Sequence, residues 1–197
     1  AGITEKIRTE QRTGVYLGDL YFSASPSVLM VKEFGYFEPI KVPALEEIGV
    51  WIVNPYQIDP KGEVVICAIS ARLVIINTNL VKPKDEPKSW YDLLDPKWKG
   101  KLLLWDPSLP GLGSNWFVIL KNQALGLDYM KKIAENVVIT MLSVREQAER
   151  VAKGEYSISP VQGGAEFVRA LEAGAPIKCI WPKEGHIVNL DCQGLVK

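Results

Sequence analysis

Several short segments of this sequence combine glycine or serine with polar side chains at points where a predicted strand ends. In open α/β sheets, ligands bind beyond the carboxyl ends of the strands, and small residues there let backbone amides approach a ligand closely. A helix that begins at such a point adds unpaired amides and the positive end of its dipole, which together favour an anion. We therefore expect a small polar or anionic solute to bind at Ser23–Ser25, Ser108–Asn115, Gln162–Gly164 and Lys183–His186.

Several residues in these segments have competing roles. Ser23 and Ser25 either contact the solute or cap the helix that follows them. Arg72, at the end of an apolar strand, either approaches an anion or pairs with a carboxylate, and Glu184 favours an amine-bearing solute if it points into the site. The anion cradle itself is expected from residues 111–115 and 162–164, because both segments follow a strand and open a helix. The predicted ligand-binding residues are Ser23, Ser25, Arg72, Gly111, Gly113, Ser114, Asn115, Gln162, Gly163, Gly164 and Glu184.

No catalytic signature accompanies these segments. The sequence has no G-x-S-x-G, H-E-x-x-H, C-x-x-C or P-loop pattern, and its single histidine, His186, is expected at the surface or in a hydrogen bond. Cys67, Cys179 and Cys192 have no metal-like spacing, and each lies in an apolar run, which indicates buried thiols. A disulfide between Cys179 and Cys192 is the alternative. We therefore expect a binding protein without enzyme activity, cofactor or metal.

The composition excludes several classes of protein. Of the 197 residues, 47% are hydrophobic and 23% are charged, which indicates an ordered core. Lys+Arg and Asp+Glu both number 23, so no basic excess favours nucleic acid as a partner. No apolar run reaches the length that spans a bilayer.

Predicted strands and helices alternate along the chain, which indicates an open, mostly parallel α/β sheet. Ser89 can cap a short helix before the apolar strand 102–105. Ser143 and Glu146 form a capping box that opens a helix ending at Lys153. The remaining predicted strands cover 17–23, 64–76, 137–142, 156–161 and 177–181, and the remaining helices cover 25–34, 115–125, 128–135 and 165–173.

Four motifs carry a family resemblance that covers nearly the whole chain. GDLYFSASPSVLMVKEFGYFEPIKVP, SWYDLLDPKWKGK, SVREQAERVAKGEYSI and AGAPIKCIWPKEG resemble bacterial extracellular solute-binding proteins of ABC transporters, of the ferric-iron-binding type and its organic-ligand cousins. The resemblance implies a type II periplasmic binding fold with two lobes. It also implies a solute held between the lobes by hinge closure, ABC permease subunits as partners, and a periplasmic or extracellular location.

The resemblance further implies the domain boundaries. Residues 1–76 are expected to form part of the first lobe with a crossover strand, residues 77–185 the second lobe, and residues 186–197 a return crossover. In the family, a βαβ unit precedes the region matching Ala1 and helices follow the region matching Lys197. The chain therefore resembles an internal segment with an incomplete first lobe, whose open sheet edges favour self-association.

Two alternatives use the same fold. One is the ligand-sensing domain of a regulator with the same lobes. The other is ferric-iron binding, for which the resemblance implies a pair of adjacent tyrosines just after the strand that ends at Val161. This chain has Gly163, Gly164 and Ala165 there, so we consider iron binding disfavoured.

Overall fold

The computed structural model describes residues 2–40, 54, 57–108, 117, 121, 125–140 and 143–197. The chain divides into two compact units. Unit 1 comprises Ala1–Ser70 and Asn189–Lys197, and unit 2 comprises Ala71–Val188. Two long strands, β3 (Val65–Asn77) and β8 (Ile187–Val196), contribute residues to both units.

Unit 1 is built from short elements around β8. Its other elements are α1 (Ile3–Thr13), β1 (Leu20–Ala24), α2 (Ser25–Glu33) and β2 (Phe37–Glu38), and β1 and β2 both pair antiparallel with β8. The helix predicted to run to Phe34 is confirmed as α2, and Pro26 lies in its first turn, where the missing amide costs no hydrogen bond. The core of unit 1 consists of Ile7, Tyr21, Val28, Val31, Phe37, Val64, Ile66, Cys192 and Val196.

Packing leaves no room for a side chain at Gly194 in β8. A Cβ built there would lie 2.6 Å from both Cε2 and Cζ of the Phe37 ring, which is buried. We expect Gly194→Ala to destabilise the protein by about 1–3 kcal/mol, because the packed ring has to shift. Thermal unfolding of the variant measures this loss.

The control for Gly194→Ala is the same change in a Phe37→Leu background. The smaller side chain relieves the clash, so Gly194→Ala is expected to cost less stability there than in the wild type. An equal cost in both backgrounds would show that the Phe37 ring is not the cause.

After the second half of β3, unit 2 continues with 3₁₀ helices at Pro83–Asp85, Trp90–Leu94 and Pro96–Trp98. They are followed by a regular alternation of strands and helices. These elements are β4 (Leu102–Trp105), α3 (Gly126–Ile133), β5 (Val137–Thr140), α4 (Val144–Ala152), β6 (Ile158–Gly163), α5 (Gly164–Glu172) and β7 (Ile177–Ile180).

The strands of unit 2 form a mixed sheet. β4 pairs parallel with both β5 and β6, whereas β3 pairs antiparallel with both β6 and β7. The predicted α/β class is confirmed, but the sheet is mixed rather than mostly parallel. The alternation of strands and helices predicts the parallel strand pairs, because two parallel strands need a crossover connection, usually a helix. The same alternation contains no information about the direction of β3.

The local signals read from the sequence are present in unit 2. Ser89 Oγ accepts a hydrogen bond from the Tyr91 amide and caps its 3₁₀ helix, and Ser143 and Glu146 form the predicted capping box of α4. In β4, Leu102 and Leu104 pack into one core cluster and Leu103 packs into another. The apolar strand is therefore covered on both faces, as predicted.

Of the three cysteines, only Cys192 is buried as predicted. All are free thiols, and Cys192 is buried, Cys179 is half-buried and Cys67 is exposed. The prediction of a buried Cys67 was wrong because the apolar run of β3 is exposed in its middle, from Cys67 to Ile69, although both ends of the strand are buried. Among the described helices, none combines the length and the apolar character needed to cross a membrane.

Candidate functional site

Unit 2 brings together four of the predicted site residues, Arg72, Gln162, Gly163 and Gly164. β6 ends at Gly163 rather than at Val161, so Gln162 and Gly163 are the last residues of the strand. In the pairing of β3 with β6, Arg72 lies opposite Gly163 and Leu73 lies opposite Gln162. The start of α5 therefore adjoins an arginine of the neighbouring strand.

Gln162 has a structural role that was not predicted. Its side chain is fully buried, and Nε2 donates a hydrogen bond of 3.0 Å to the carbonyl oxygen of Val144. Among the described residues, no partner hydrogen-bonds its Oε1. Because its donor is used by the first residue of α4, Gln162 positions the start of that helix beside the end of β6.

The N-terminus of α5 has no cap from the side chains that the structure describes. Its N-cap residue is Gly163, with φ −68° and ψ 135°, and within the described ranges no side chain accepts a hydrogen bond from the first turn. The preceding helix, α4, has a full capping box in which Ser143 accepts from the Glu146 amide. The difference indicates that the first amides of α5, with the positive end of the helix dipole, are left for another acceptor.

The space available for a side chain is smaller at position 163 than at position 164. A Cβ at Gly163 would lie 3.1 Å from Cγ1 of Val144, which is a tight contact. A Cβ at Gly164 would come no closer than 3.9 Å to a neighbouring heavy atom, the Ala71 carbonyl oxygen, which is an ordinary contact. Neither glycine has a positive φ, so a side chain at Gly164 is excluded neither by space nor by backbone conformation.

Two charged side chains near the start of α5, Glu166 and Arg169, partly neutralise each other. Glu166, in the first turn, lies 3.3 Å from Nη1 of Arg169, one turn further along the helix. An exposed i,i+3 pair of this kind contributes little to stability, but it reduces the negative charge that an approaching anion meets.

Glu184 has partners within unit 2. Ser89 Oγ donates to its Oε1 at 2.6 Å, and the Trp90 amide donates to its Oε2 at 3.1 Å. Burial raises the pKa of this carboxyl, but the hydrogen bonds from Ser89, from its own amide and from Trp90, together with the charge of Lys183, outweigh burial and hold its pKa below the ordinary 4.5. Both oxygens therefore anchor the 3₁₀ helix Trp90–Leu94, and contact with a solute stays a prediction.

The remaining predicted residues lie elsewhere. Ser23 is in β1, opposite Cys192, and Ser25 is the first residue of α2, so both belong to unit 1. The N-cap residue of α2 is Ala24, and none of the described side chains caps this helix, so the capping role considered for the two serines is not observed. Gly111, Gly113, Ser114 and Asn115 lie outside the described residues, and their role stays a prediction.

Gln147, a polar residue that positions this region, was not predicted, whereas the hydrogen bond expected of His186 is present. Gln147 is buried in α4, and its Nε2 donates to Ser159 Oγ at 2.6 Å and to the Leu103 carbonyl oxygen at 3.0 Å. His186 Nδ1 lies 3.2 Å from the carbonyl oxygen of Arg72. For Gln147 a signal existed, because a glutamine on the apolar face of an amphipathic helix indicates a buried hydrogen bond. Within the described ranges, no group of three or more His, Cys, Asp and Glu residues could hold a metal ion.

Most of this sequence matches a known protein family. A family model described as bacterial extracellular solute-binding protein matches residues 19–197. The spermidine/putrescine-binding periplasmic protein of Escherichia coli (strain K12) is 33% identical over 142 residues, which cover 68% of this chain and 40% of that protein. The chain thus matches less than half the length of this curated relative.

Two solved structures have the same fold. The periplasmic binding protein AfuA from Actinobacillus pleuropneumoniae, with exogenous fructose-6-phosphate bound, has a TM-score of 0.74 and 25% identity, over 98% of this chain and 62% of that chain. Iron-bound HitA from Pseudomonas aeruginosa has a TM-score of 0.77 over 100% of this chain and 65% of that chain, and at 17% identity it supports the fold alone. With the family model covering nearly all of the sequence, this chain belongs to the family of bacterial extracellular solute-binding proteins.

Proposed function

We propose that this protein acts in an ABC importer as the substrate-binding component and captures a small polar or anionic solute at the carboxyl end of β6. The observation that carries the proposal is the uncapped start of α5 at Gly163, opposite Arg72. A helix N-terminus at a strand end binds anions through its free amides and its dipole. Permease subunits of the importer are the expected protein partners, and closure of two lobes on the solute stays a prediction.

The similar proteins described above are associated with solutes of opposite charge. The E. coli relative is named for spermidine and putrescine, which are cations, whereas the AfuA structure contains fructose-6-phosphate, which is an anion. The first amides of α5 favour the anion. Glu184 was the carboxylate expected to favour an amine-bearing solute if it pointed into the site. Its oxygens instead accept hydrogen bonds from Ser89 and Trp90. These contacts support an anionic solute over a polyamine.

The proposal is tested on the full-length protein. Native mass spectrometry identifies any solute that co-purifies with it, and calorimetry then compares fructose-6-phosphate, spermidine and ferric citrate as probes. We expect binding of a phosphate- or carboxylate-bearing solute and no binding of spermidine. Tight binding of spermidine would overturn the anionic assignment, and a bound ferric ion would contradict the expectation that iron binding is disfavoured.

A further inference from the structure

Trp181 is an exposed aromatic residue directly after β7. It is 76% exposed, whereas Trp90 and Trp98 of the same unit are buried. Tryptophan is highly buried on average in folded proteins, because its large apolar surface is stabilised by leaving water. The indole of Trp181 therefore offers apolar surface that a bound molecule can cover.

The carboxyl ends of β6 and β7 lie at the same edge of the sheet. Ile75 and Ile76 of β3 each pair with a residue of β6 and with a residue of β7. Because a strand residue has one neighbour on each side, β6 and β7 flank β3. Both strands run antiparallel to β3, so they run parallel to each other and end in the same direction.

The strand register places Trp181 level with the end of β6. Gln162, the residue before the last of β6, lies opposite Leu73. Ile180 lies opposite Val74 in the antiparallel pair of β7 with β3. The next residue, Trp181, is therefore also level with Leu73. Two strand spacings separate β6 from β7, so the Cα atoms of Gln162 and Trp181 are about 10 Å apart.

Trp181 and α5 lie on the same face of the sheet. Phe167 and Ala170 of α5 pack against the core cluster that contains Ile177 of β7. Ile180 belongs to a different cluster, on the other face. Side chains alternate between the two faces along a strand, so Trp181 continues on the face of Ile177. The start of α5 and the indole therefore adjoin the same edge and the same face.

His186 holds the indole of Trp181 in place. The centroids of the two rings are 4.6 Å apart, and the ring planes meet at 79°, which is an edge-on contact. The His186 ring is itself fixed by hydrogen bonds to the backbone of Arg72 and of Ile180. An edge-on contact covers at most one face of the indole, so the other face is open to a ligand.

An open indole face in this position favours a solute that contains a ring. The face of an aromatic ring carries negative charge, and it attracts the positive C–H groups of a sugar ring or the edge of an aromatic ring. The indole spans part of the distance of about 10 Å from β7 to β6, and a ring attached to an oxyanion can span the rest. An inorganic anion is too small to reach both places.

We propose that Trp181 packs against the ring of an organic oxyanion whose negative group binds at the start of α5. The solute class is thereby narrowed from any small anion to a ring-bearing phosphate or carboxylate. This inference rests on the function proposed above, because it uses the same solute site. Trp181 then determines the preference for an organic anion over an inorganic one.

The test is calorimetry on the full-length protein with fructose-6-phosphate, phenyl phosphate and inorganic phosphate as probes. We expect at least one ring-bearing phosphate to bind more tightly than inorganic phosphate. Trp181→Ala is expected to weaken binding of that ring-bearing phosphate about tenfold or more and to leave inorganic phosphate within about twofold. Trp181→Phe keeps an aromatic ring, so its affinity is expected to stay within about threefold of the wild type.

A control variant and a second readout accompany the titration. Tyr91→Ala removes another exposed aromatic ring of unit 2, which contacts Tyr129, and it is expected to leave all three affinities unchanged. A ring that covers Trp181 is expected to shift its fluorescence emission to shorter wavelengths. Trp181→Phe removes that shift while it keeps the binding, and thermal unfolding checks that each variant is folded.

The outcomes separate the ring contact from the anion site. If Gly164→Asp abolishes binding of every phosphate and Trp181→Ala weakens none, the proposed function stands and the ring contact is overturned. Equal weakening of ring-bearing and inorganic phosphate in Trp181→Ala also overturns it, because Trp181 then shapes the site without contacting a ring. If the wild type prefers inorganic phosphate, the ring contact is wrong. If it binds none of the three probes, the anionic assignment and the ring contact fail together.

Discussion

Gly164→Asp is expected to abolish binding of an anionic solute to the full-length protein while leaving its stability unchanged or slightly raised. The new carboxylate lies at the first residue of α5, where the proposed site receives the negative group of the solute. Two like charges about 4 Å apart repel by ~4 kcal/mol at an effective dielectric constant of about 20. We therefore expect the affinity to fall by at least about 100-fold, measured by calorimetry.

The stability of Gly164→Asp separates loss of binding from loss of fold. An acidic side chain in the first turn of a helix contributes roughly 0.3–1 kcal/mol, and replacing glycine lowers the entropy of the unfolded chain. The added Cβ is no closer than 3.9 Å to its nearest neighbour. Gly163→Asp is a less selective test, because its Cβ would press on Val144 at 3.1 Å.

Gly164→Asn is the matched control, since it adds the same shape without the charge. It is expected to keep the affinity within about tenfold of the wild type, a difference of about 1.4 kcal/mol. If Asn and Asp weaken binding equally, the effect is steric and the anionic assignment is wrong. If neither variant weakens binding, the solute does not bind at the start of α5.

Asp59→Ala is expected to destabilise unit 1 by about 1–3 kcal/mol, because it removes a buried carboxylate that accepts hydrogen bonds from two amides and from Lys32. The Asp59 carboxylate is 2% exposed and lies 2.6 Å from the Lys32 ammonium. It also accepts hydrogen bonds of 3.0 Å from the amides of Lys61 and Val64. Thermal unfolding and hydrogen exchange of the α2 amides measure the loss.

The contribution of Asp59 depends on pH in a defined direction. Burial raises the pKa of the Asp59 carboxyl, but the hydrogen bonds from Lys32 and the two amides outweigh burial and hold its pKa below the ordinary 3.8. A lowered folded pKa contributes stability that is fully present above 3.8 and is lost as the pH falls through the folded pKa. The difference in stability between wild type and Asp59→Ala is therefore expected to shrink below pH 3.8.

Glu63→Gln is the control for Asp59→Ala, since Glu63 contacts the same Lys32 at 3.3 Å but is 27% exposed. An ion pair open to solvent contributes at most about 1 kcal/mol, so the cost is expected to be small. Equal losses of stability in the two variants would show that the buried Asp59 carboxylate contributes no more through Lys32 than the partly exposed Glu63 carboxylate does.

Much of the molecule was predictable because its signals are local. Ser89, the capping box at Ser143 and the strand Leu102–Trp105 all lie where the sequence indicated, since caps and short apolar strands depend on residues a few positions apart. The predicted family, the α/β class and the periplasmic or extracellular location are confirmed by the family model and the relatives. The motifs that carried the resemblance extend along almost the whole matched range.

Only the tertiary structure decided how the residues of the candidate site are arranged. The sequence by itself determined that a strand is followed by a helix at a Gln-Gly-Gly segment. It did not determine that Gln162 is buried against Val144, or that the Glu184 carboxylate reaches Ser89 and Trp90. The exposure of Cys67 and the antiparallel direction of β3 were likewise decided by the fold. Each of these depends on contacts between residues far apart in the chain, and local propensity and periodicity contain no information about such contacts.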